Sequence, residues 1–263
     1  MIATANIWAD VIATFMVVVA VSFWLYQLAG NAVTGRFRRK FVGKEWPHHE
    51  GTVPSVPRAL HGAHVAAMIV LAFSGLYLRF PFFSGGREVL RNAHYVAMYI
   101  FLAIFVLRVY YAYVRDSAEF RISIRDILNA PRVLLYYMFF RRSYPHLGKY
   151  NVMQKFTYGI AFPLLIVVQA YTGFALIWPG VLLPWAGPLA GGLSAAAGWA
   201  RLVHFLGSMS LIMLVSIHVC LAFVEDFPTL LVFFGLTKQI DEEDREEEKQ
   251  VERRLRGTEA AAH

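Results

Sequence analysis

His204 and His218 stand 14 residues apart on one apolar stretch, LVHFLGSMSLIMLVSIHVCLAF. At ~100° per residue that interval falls about 40° short of four full helical turns, so both imidazoles leave nearly the same face. At ~1.5 Å rise per residue they are separated by about 21 Å along the axis. The stretch is long enough to cross a bilayer. Imidazoles at two depths of one membrane helix point to two metal centres stacked across a membrane. In a helical bundle such a centre is a haem, its low-spin b-type iron taking one imidazole from each of two facing helices.

The partners must come from other spans at matching depths. Five segments approach the ~20 apolar residues that a crossing needs: Ile7–Leu28, Ala59–Leu78, His94–Tyr113, Phe156–Trp178 and Leu202–Val224. His61 and His64 lie at the start of the second span, and His94 at the start of the third, which is the opposite side. His204 is near one end of the fifth span, and His218 is four turns deeper. The depths pair His94 with His204, and either His61 or His64 with His218. An unpartnered imidazole in lipid is costly, whereas a metal bond and a hydrogen-bond acceptor satisfy both ring nitrogens. A porphyrin also needs room between helices. Gly62, Ala63, Ser74, Gly75, Gly173 and Gly207 are the small residues placed to supply it.

Composition supports this architecture. The chain is 57% hydrophobic with mean hydropathy +0.48, as expected of a multi-pass membrane protein. The net charge of +7 comes from basic loops and acts as a topology signal, not as a nucleic-acid footprint. Cys220 is the single cysteine, so an intrachain disulfide, a Cys-x-x-Cys zinc or iron–sulfur site and covalent c-type haem are all excluded. The first segment lacks a basic leader and a small-residue cleavage site and reads as a retained span. The loop after span one (GRFRRKFVGK) and the loop after span three are strongly basic, whereas residues 179–200 carry no charge. The positive-inside rule places the N-terminus outside and the basic loops and C-terminus in the cytoplasm.

The fold expected is an all-α integral membrane bundle. Residues 1–30 form an additional N-terminal helix, 31–58 a basic cytoplasmic loop, 59–236 a four-helix di-haem domain and 237–263 a charged cytoplasmic tail. Within the third loop (116–148), Ile122–Phe140 mixes charge with apolar residues around Pro131. It reads as an interfacial helix pair on the cytoplasmic face. The tail, DEEDREEEKQVERRLR, reads as a solvated helix or disorder, with a docking arm for a soluble subunit as the sharper alternative.

These residues carry a family resemblance. RALHGAH, RNAHYVAMYIFLAIFVLRVYY, KYNVMQKFTYG, YTGFALIWP and RLVHFLGSMSLIMLVSIHVCLAF resemble the di-haem cytochrome b (gamma) subunits of respiratory formate dehydrogenases. Relatives occur in nickel–iron hydrogenases and thiosulfate reductases, and the resemblance covers about residues 55–230. It implies two b haems in a four-helix core, with axial ligands carried onto His61, His94, His204 and His218, and so favours His61 over His64. His64 would then serve a quinone, a propionate or helix packing. The resemblance also implies a quinone site (menaquinone or ubiquinone) near His218 and Asn151. It implies partner subunits of a respiratory complex, of iron–sulfur or cytochrome c type, in a bacterial inner membrane. The span before the core is a departure from the family.

Asn151, Gln154, Lys155 and Tyr150 sit where the fourth span begins, level with the cytoplasmic-side histidines. Amides and phenols hydrogen-bond quinone carbonyls without carrying charge. Arg58, Arg108 and Lys155 are candidate counter-charges for inner propionates, and Arg79, Arg91 and Arg201 for outer ones. Substrate oxidation must lie elsewhere, because no molybdopterin, flavin or iron–sulfur motif is present. The expected direction is from an outer-face partner through the two haems to quinone, which is reduced near the cytoplasmic face; the alternative is flow from quinol outward to a reductase. The readings from other classes are a proton-coupled transporter, disfavoured by the near absence of acidic residues in the core spans, and a non-redox membrane anchor.

Overall fold

The computed structural model describes residues 2–46, 55–115, 121–142 and 150–236. The charged tail, His48, His49, His146, Lys149 and His263 lie outside the described residues. The long helices are α1 (Ile2–Val33), α2 (Ser55–Arg79), α3 (Arg87–Arg115) and, as numbered below, α9. Between α3 and the next crossing lies α4 (Ile124–Tyr137). The fourth crossing is composite: α5 (Val152–Phe156), a π-helical turn (Thr157–Ala161) and α6 (Phe162–Ile177). Two single turns, α7 (Pro179–Leu182) and α8 (Gly187–Ala190), lead into α9 (Leu193–Glu225), and α10 (Phe227–Phe233) follows. Five crossings are long and apolar enough to span a membrane, and no strand occurs among the described residues. The protein is an all-α integral membrane bundle.

Small residues bring the helices together. Ala9 and Ala13 of α1 are buried against Leu202, Phe205 and Met209 of α9, so a small-xxx-small ridge receives the larger side chains. Trp24 of α1 donates its Nε1–H to Ser216 of α9. At the α2–α3 end, Asp10 pairs with Arg79 at 2.6 Å. The additional N-terminal helix therefore lies along the helix that carries both His204 and His218.

Two expectations are corrected. Ile122–Phe140 contains one helix, α4 (Ile124–Tyr137), running through Pro131, not a pair. Ser123 and Asp126 start it with a capping box. Pro131 removes one internal N–H donor, but Val133 and Tyr136 bury the helix's inner face and hold its course. Residues 179–200 are not a plain loop. Their Pro residues open α7 and α8, and α9 begins at Leu193. Its 33 residues span about 50 Å against a hydrocarbon core of about 30 Å, so its first turns lie outside the core.

α4 is fastened at its start. Asp126 accepts from the Ser123 backbone N–H (2.8 Å), the Ser123 hydroxyl (2.8 Å) and Lys155 Nζ (3.0 Å). The Ser123 backbone N–H above all, against the cost of burial, holds this carboxyl below its ordinary range, helped by the Ser123 hydroxyl and Lys155. Lys155 is thereby committed to Asp126 and to the Arg121 carbonyl, and is not available as a haem counter-charge.

Candidate histidine centres

Four helices bring the histidines into two pairs. His94 of α3 faces His204 of α9 with ring centroids 6.4 Å apart and planes at 69°. His61 of α2 faces His218 of α9 at 6.5 Å and 63°. A metal–imidazole bond is about 2 Å and a ring centroid lies roughly 1.1 Å behind its nitrogen, so trans imidazoles on one ion hold centroids about 6 Å apart. Both pairs meet that separation. Among the described residues, no three His, Cys, Asp or Glu side chains gather as a metal cluster, so each centre is a pair. The His94–His204 pair lies toward the α2–α3 turn and the His61–His218 pair toward α4.

The pair at the α2–α3 end is held by two hydroxyl–glycine dipeptides. Ser74 Oγ donates to the Val70 carbonyl (2.5 Å), and it lies 2.9 Å from His94 Nδ1. Thr172 Oγ1 donates to the Val168 carbonyl (2.7 Å) and lies 3.0 Å from His204 Nδ1. Each hydroxyl proton is spent on a carbonyl, so each imidazole donates from Nδ1 and presents Nε2 as the lone-pair nitrogen. The adjoining glycines give the rings room. A Cβ on Gly75 would lie 3.4 Å from His94 Cε1, and one on Gly173 would lie 3.2 Å from His204 Cε1.

The pair at the α4 end is built differently. Tyr158, within the π-helical turn, lies with its Oη 2.8 Å from His218 Nδ1. π turns recur at functional sites. Among the described residues this hydroxyl has no second hydrogen-bond partner. His61 Nδ1 is buried with no hydrogen-bond partner among the described residues. Arg108 of α3 lies within electrostatic reach of His61, His64, His218, Tyr150 and Tyr158.

His64 is directed elsewhere. Its Nε2 lies 3.3 Å from the Phe101 carbonyl and its ring packs on Phe101 at 4.5 Å. It therefore takes no part in the His61–His218 pair. Asn151 and Gln154 form a reciprocal cap at the start of α5, each side-chain oxygen accepting the other's backbone N–H at 3.0 Å. Asn151 Nδ2 donates to Tyr137 Oη (3.3 Å), whereas Gln154 Nε2 has no partner among the described residues. Gly207 makes room for Gln169, not for an imidazole, and nothing lies within 4 Å of a Cβ on Gly62. Thr172 and Tyr158 were missed as imidazole partners. The signal was a hydroxyl residue directly before glycine, as in Ser74-Gly75, Thr172-Gly173 and Tyr158-Gly159.

The residues present fit b-type haem. Three of the four imidazoles have Nδ1 tied to a hydroxyl and Nε2 left over, and two glycines clear space at the rings. The family described as prokaryotic cytochrome b561 matches residues 52–235, which covers α2 to α10 and leaves α1 outside. A protein of Azospira oryzae, provisionally named as the subunit YedZ1 of a protein-methionine-sulfoxide reductase, is 29% identical over 185 residues. The similarity covers 62% of this chain and 86% of that relative. No solved structure matches the chain.

Proposed function

The chain belongs to the prokaryotic cytochrome b561 family of membrane haem proteins, and from that premise we propose that it carries electrons across the membrane through two bis-histidine centres. The observation that carries this reading is the pair of matched imidazole separations, 6.5 and 6.4 Å, at two depths of one helix. His61 and His218 would hold one haem b, and His94 and His204 the other. Bound haem iron supplies a one-electron couple. The chain supplies the rest. α9 fixes the interval between the centres at about 21 Å along its axis. Ser74 and Thr172 orient the outer ligands, and Tyr158 orients one of the inner ones.

Loop charge orients the bundle with α4 and the His61–His218 pair at the cytoplasmic face, the N-terminus periplasmic and the C-terminus cytoplasmic. A quinone site lies there, near Asn151 and Gln154. Gln154 Nε2 is available to a quinone carbonyl, and Arg108 supplies positive charge beside the pair. A redox subunit docks on the outer face and exchanges electrons with the His94–His204 centre. As in a formate dehydrogenase gamma subunit, electrons enter from that partner and reduce quinone. The reverse direction, from quinol outward to a reductase, is the second reading. The name of the Azospira oryzae relative, a reductase subunit, favours it.

The test is a haem assay with reduced spectra on the purified protein, alongside His94→Ala and His218→Ala. Two b haems per chain, falling to about one in each variant, are expected. Well-folded protein without haem contradicts the reading. Haem reduction by a quinol, against haem oxidation by a quinone, then separates the two directions.

A further inference from the structure

Six buried side-chain polar atoms lack a partner among the described residues, and four of them belong to one seam: Gln27 Oε1, Asn31 Oδ1, Arg36 Nη1 and Glu225 Oε1. The seam lies where the end of α1 meets α4 and the last turn of α9. Gln27 and Asn31 are 1% and 0% exposed. Their protein bonds run along the seam. Gln27 Nε2 donates to the Tyr137 carbonyl (3.0 Å), Asn31 Nδ2 to the Gln27 carbonyl (2.8 Å) and Arg36 to the carbonyls of Tyr136 (3.2 Å) and Arg141 (2.8 Å). Glu225 Oε2 accepts from Lys40 Nζ (2.7 Å) and from the Tyr136 hydroxyl (2.9 Å).

Lipid offers such atoms nothing, and unmatched buried polar groups are expensive there. Buried water satisfies groups of this kind, typically with two to four polar neighbours. The seam provides acceptors from Gln27, Asn31 and Glu225 and a donor from Arg36. Its far end is also defined. Tyr136 and Tyr137 are adjacent on α4 with ring centroids 5.6 Å apart, and Tyr137 Oη accepts from Asn151. Glu225 is seven residues beyond His218. That places it about 10 Å further along α9 and within about 20° of the same face.

We propose that this seam is a hydrated proton path between the cytoplasm and the quinone site, with Glu225 as its carboxylate. It rests on the quinone reading above. Reducing one quinone takes two electrons, which arrive through the histidine centres from the redox partner, and two protons, which form the O–H bonds of the quinol. Quinol oxidation runs the same path outward. Glu225 is faced by Lys40 and Tyr136, with Cys220 and Asp226 on its own side and Arg36 and Arg39 behind Lys40. The unpartnered Oε1 is where a proton would be received and passed on.

The test uses the full chain with its haems in liposomes and decylubiquinol as reductant, in stopped flow. Haem absorbance reports electrons and a trapped pH dye reports protons. Glu225→Gln is expected to slow haem reduction at least about tenfold, flatten its pH profile and shrink the solvent isotope effect, with haem content and spectra unchanged. Glu225→Asp is expected to restore most of the rate. Gln27→Leu and Asn31→Leu are expected to slow it without touching the carboxylate, and they decide the matter if Glu225→Gln does not fold. Wild-type rate, pH profile and isotope effect in all the folded variants overturn the proton path and leave the quinone reading standing. Where the quinol does not reduce the haems, the same variants are compared in the oxidation of dithionite-reduced haems by decylubiquinone; failure of wild-type haems to exchange electrons with either form overturns the quinone reading, and the path with it.

Discussion

The two histidine pairs have nearly equal ring separations yet opposite surroundings. At the α2–α3 end, Ser74 and Thr172 spend their protons on their own helices and accept from His94 and His204. Nδ1 of each ring is thereby committed to a hydroxyl. At the α4 end, among the described residues, the Tyr158 hydroxyl reaches His218 with no second hydrogen-bond partner, and His61 Nδ1 has none. Arg108, the Asn151–Gln154 cap and the polar seam all gather at that end. A closed centre suits a relay of electrons alone. An open one suits an exchange in which protons accompany electrons. Matched ring separations therefore do not make equivalent sites; the atoms behind the imidazoles separate them.

The largest expected effect comes from the glycines. Gly173→Leu drives a side chain into His204, whose Cε1 already lies 3.2 Å from a Cβ position. Haem content is expected to fall from two to about one, with the His61–His218 spectrum kept. Gly159→Ala, where nothing lies within 4 Å, is expected to keep both. Loss of both haems in Gly173→Leu would erase the distinction between independent centres.

Next in size are the hydroxyls. Thr172→Val removes the acceptor behind His204 and is expected to weaken haem retention at that centre by about 10–100-fold, measured by haem transfer to an acceptor protein. Tyr158→Phe is expected to shift the midpoint potential of the other centre and the quinol-linked pH profile. A pH-profile change in Thr172→Val, with none in Tyr158→Phe, would break the comparison.

Asp126→Asn tests the fastening of the α4 end and is expected to cost about 1–3 kcal/mol. The native carboxyl lies below its ordinary value, so its contribution is fully present above the unfolded pKa of about 3.9 and fades as pH falls through the folded value. Acid titration followed by absorbance should therefore release the His61–His218 haem before the other in wild type. In Asp126→Asn that order should already show at neutral pH.

The smallest effect sharpens the ligand choice. His64→Ala is expected to leave haem content unchanged, because His64 Nε2 faces the Phe101 carbonyl. His61→Ala is the contrasting control, expected to match the loss of one haem in Gly173→Leu.

Much of this was legible in the residues. Span number and the facing histidines follow from apolar length and from a 14-residue interval that holds for any straight helix. Other features depend on inter-helix register, which one helix's sequence does not encode. Gly207 was read as room for a porphyrin and instead accommodates Gln169. The sequence offers Lys155 as a counter-charge for a haem propionate, but its partner Asp126 lies 29 residues earlier. Tyr158 reaches His218 from a π turn that apolar periodicity does not announce. Pro131 suggested a break that packing of Val133 and Tyr136 overrides.

The most direct test of the central claim is low-temperature electron paramagnetic resonance of the oxidised protein, compared with His204→Ala and His218→Ala. Two low-spin ferric signals of bis-imidazole type are expected, one lost in each variant and the other unchanged. A single low-spin signal, or one removed equally by both substitutions, would contradict it.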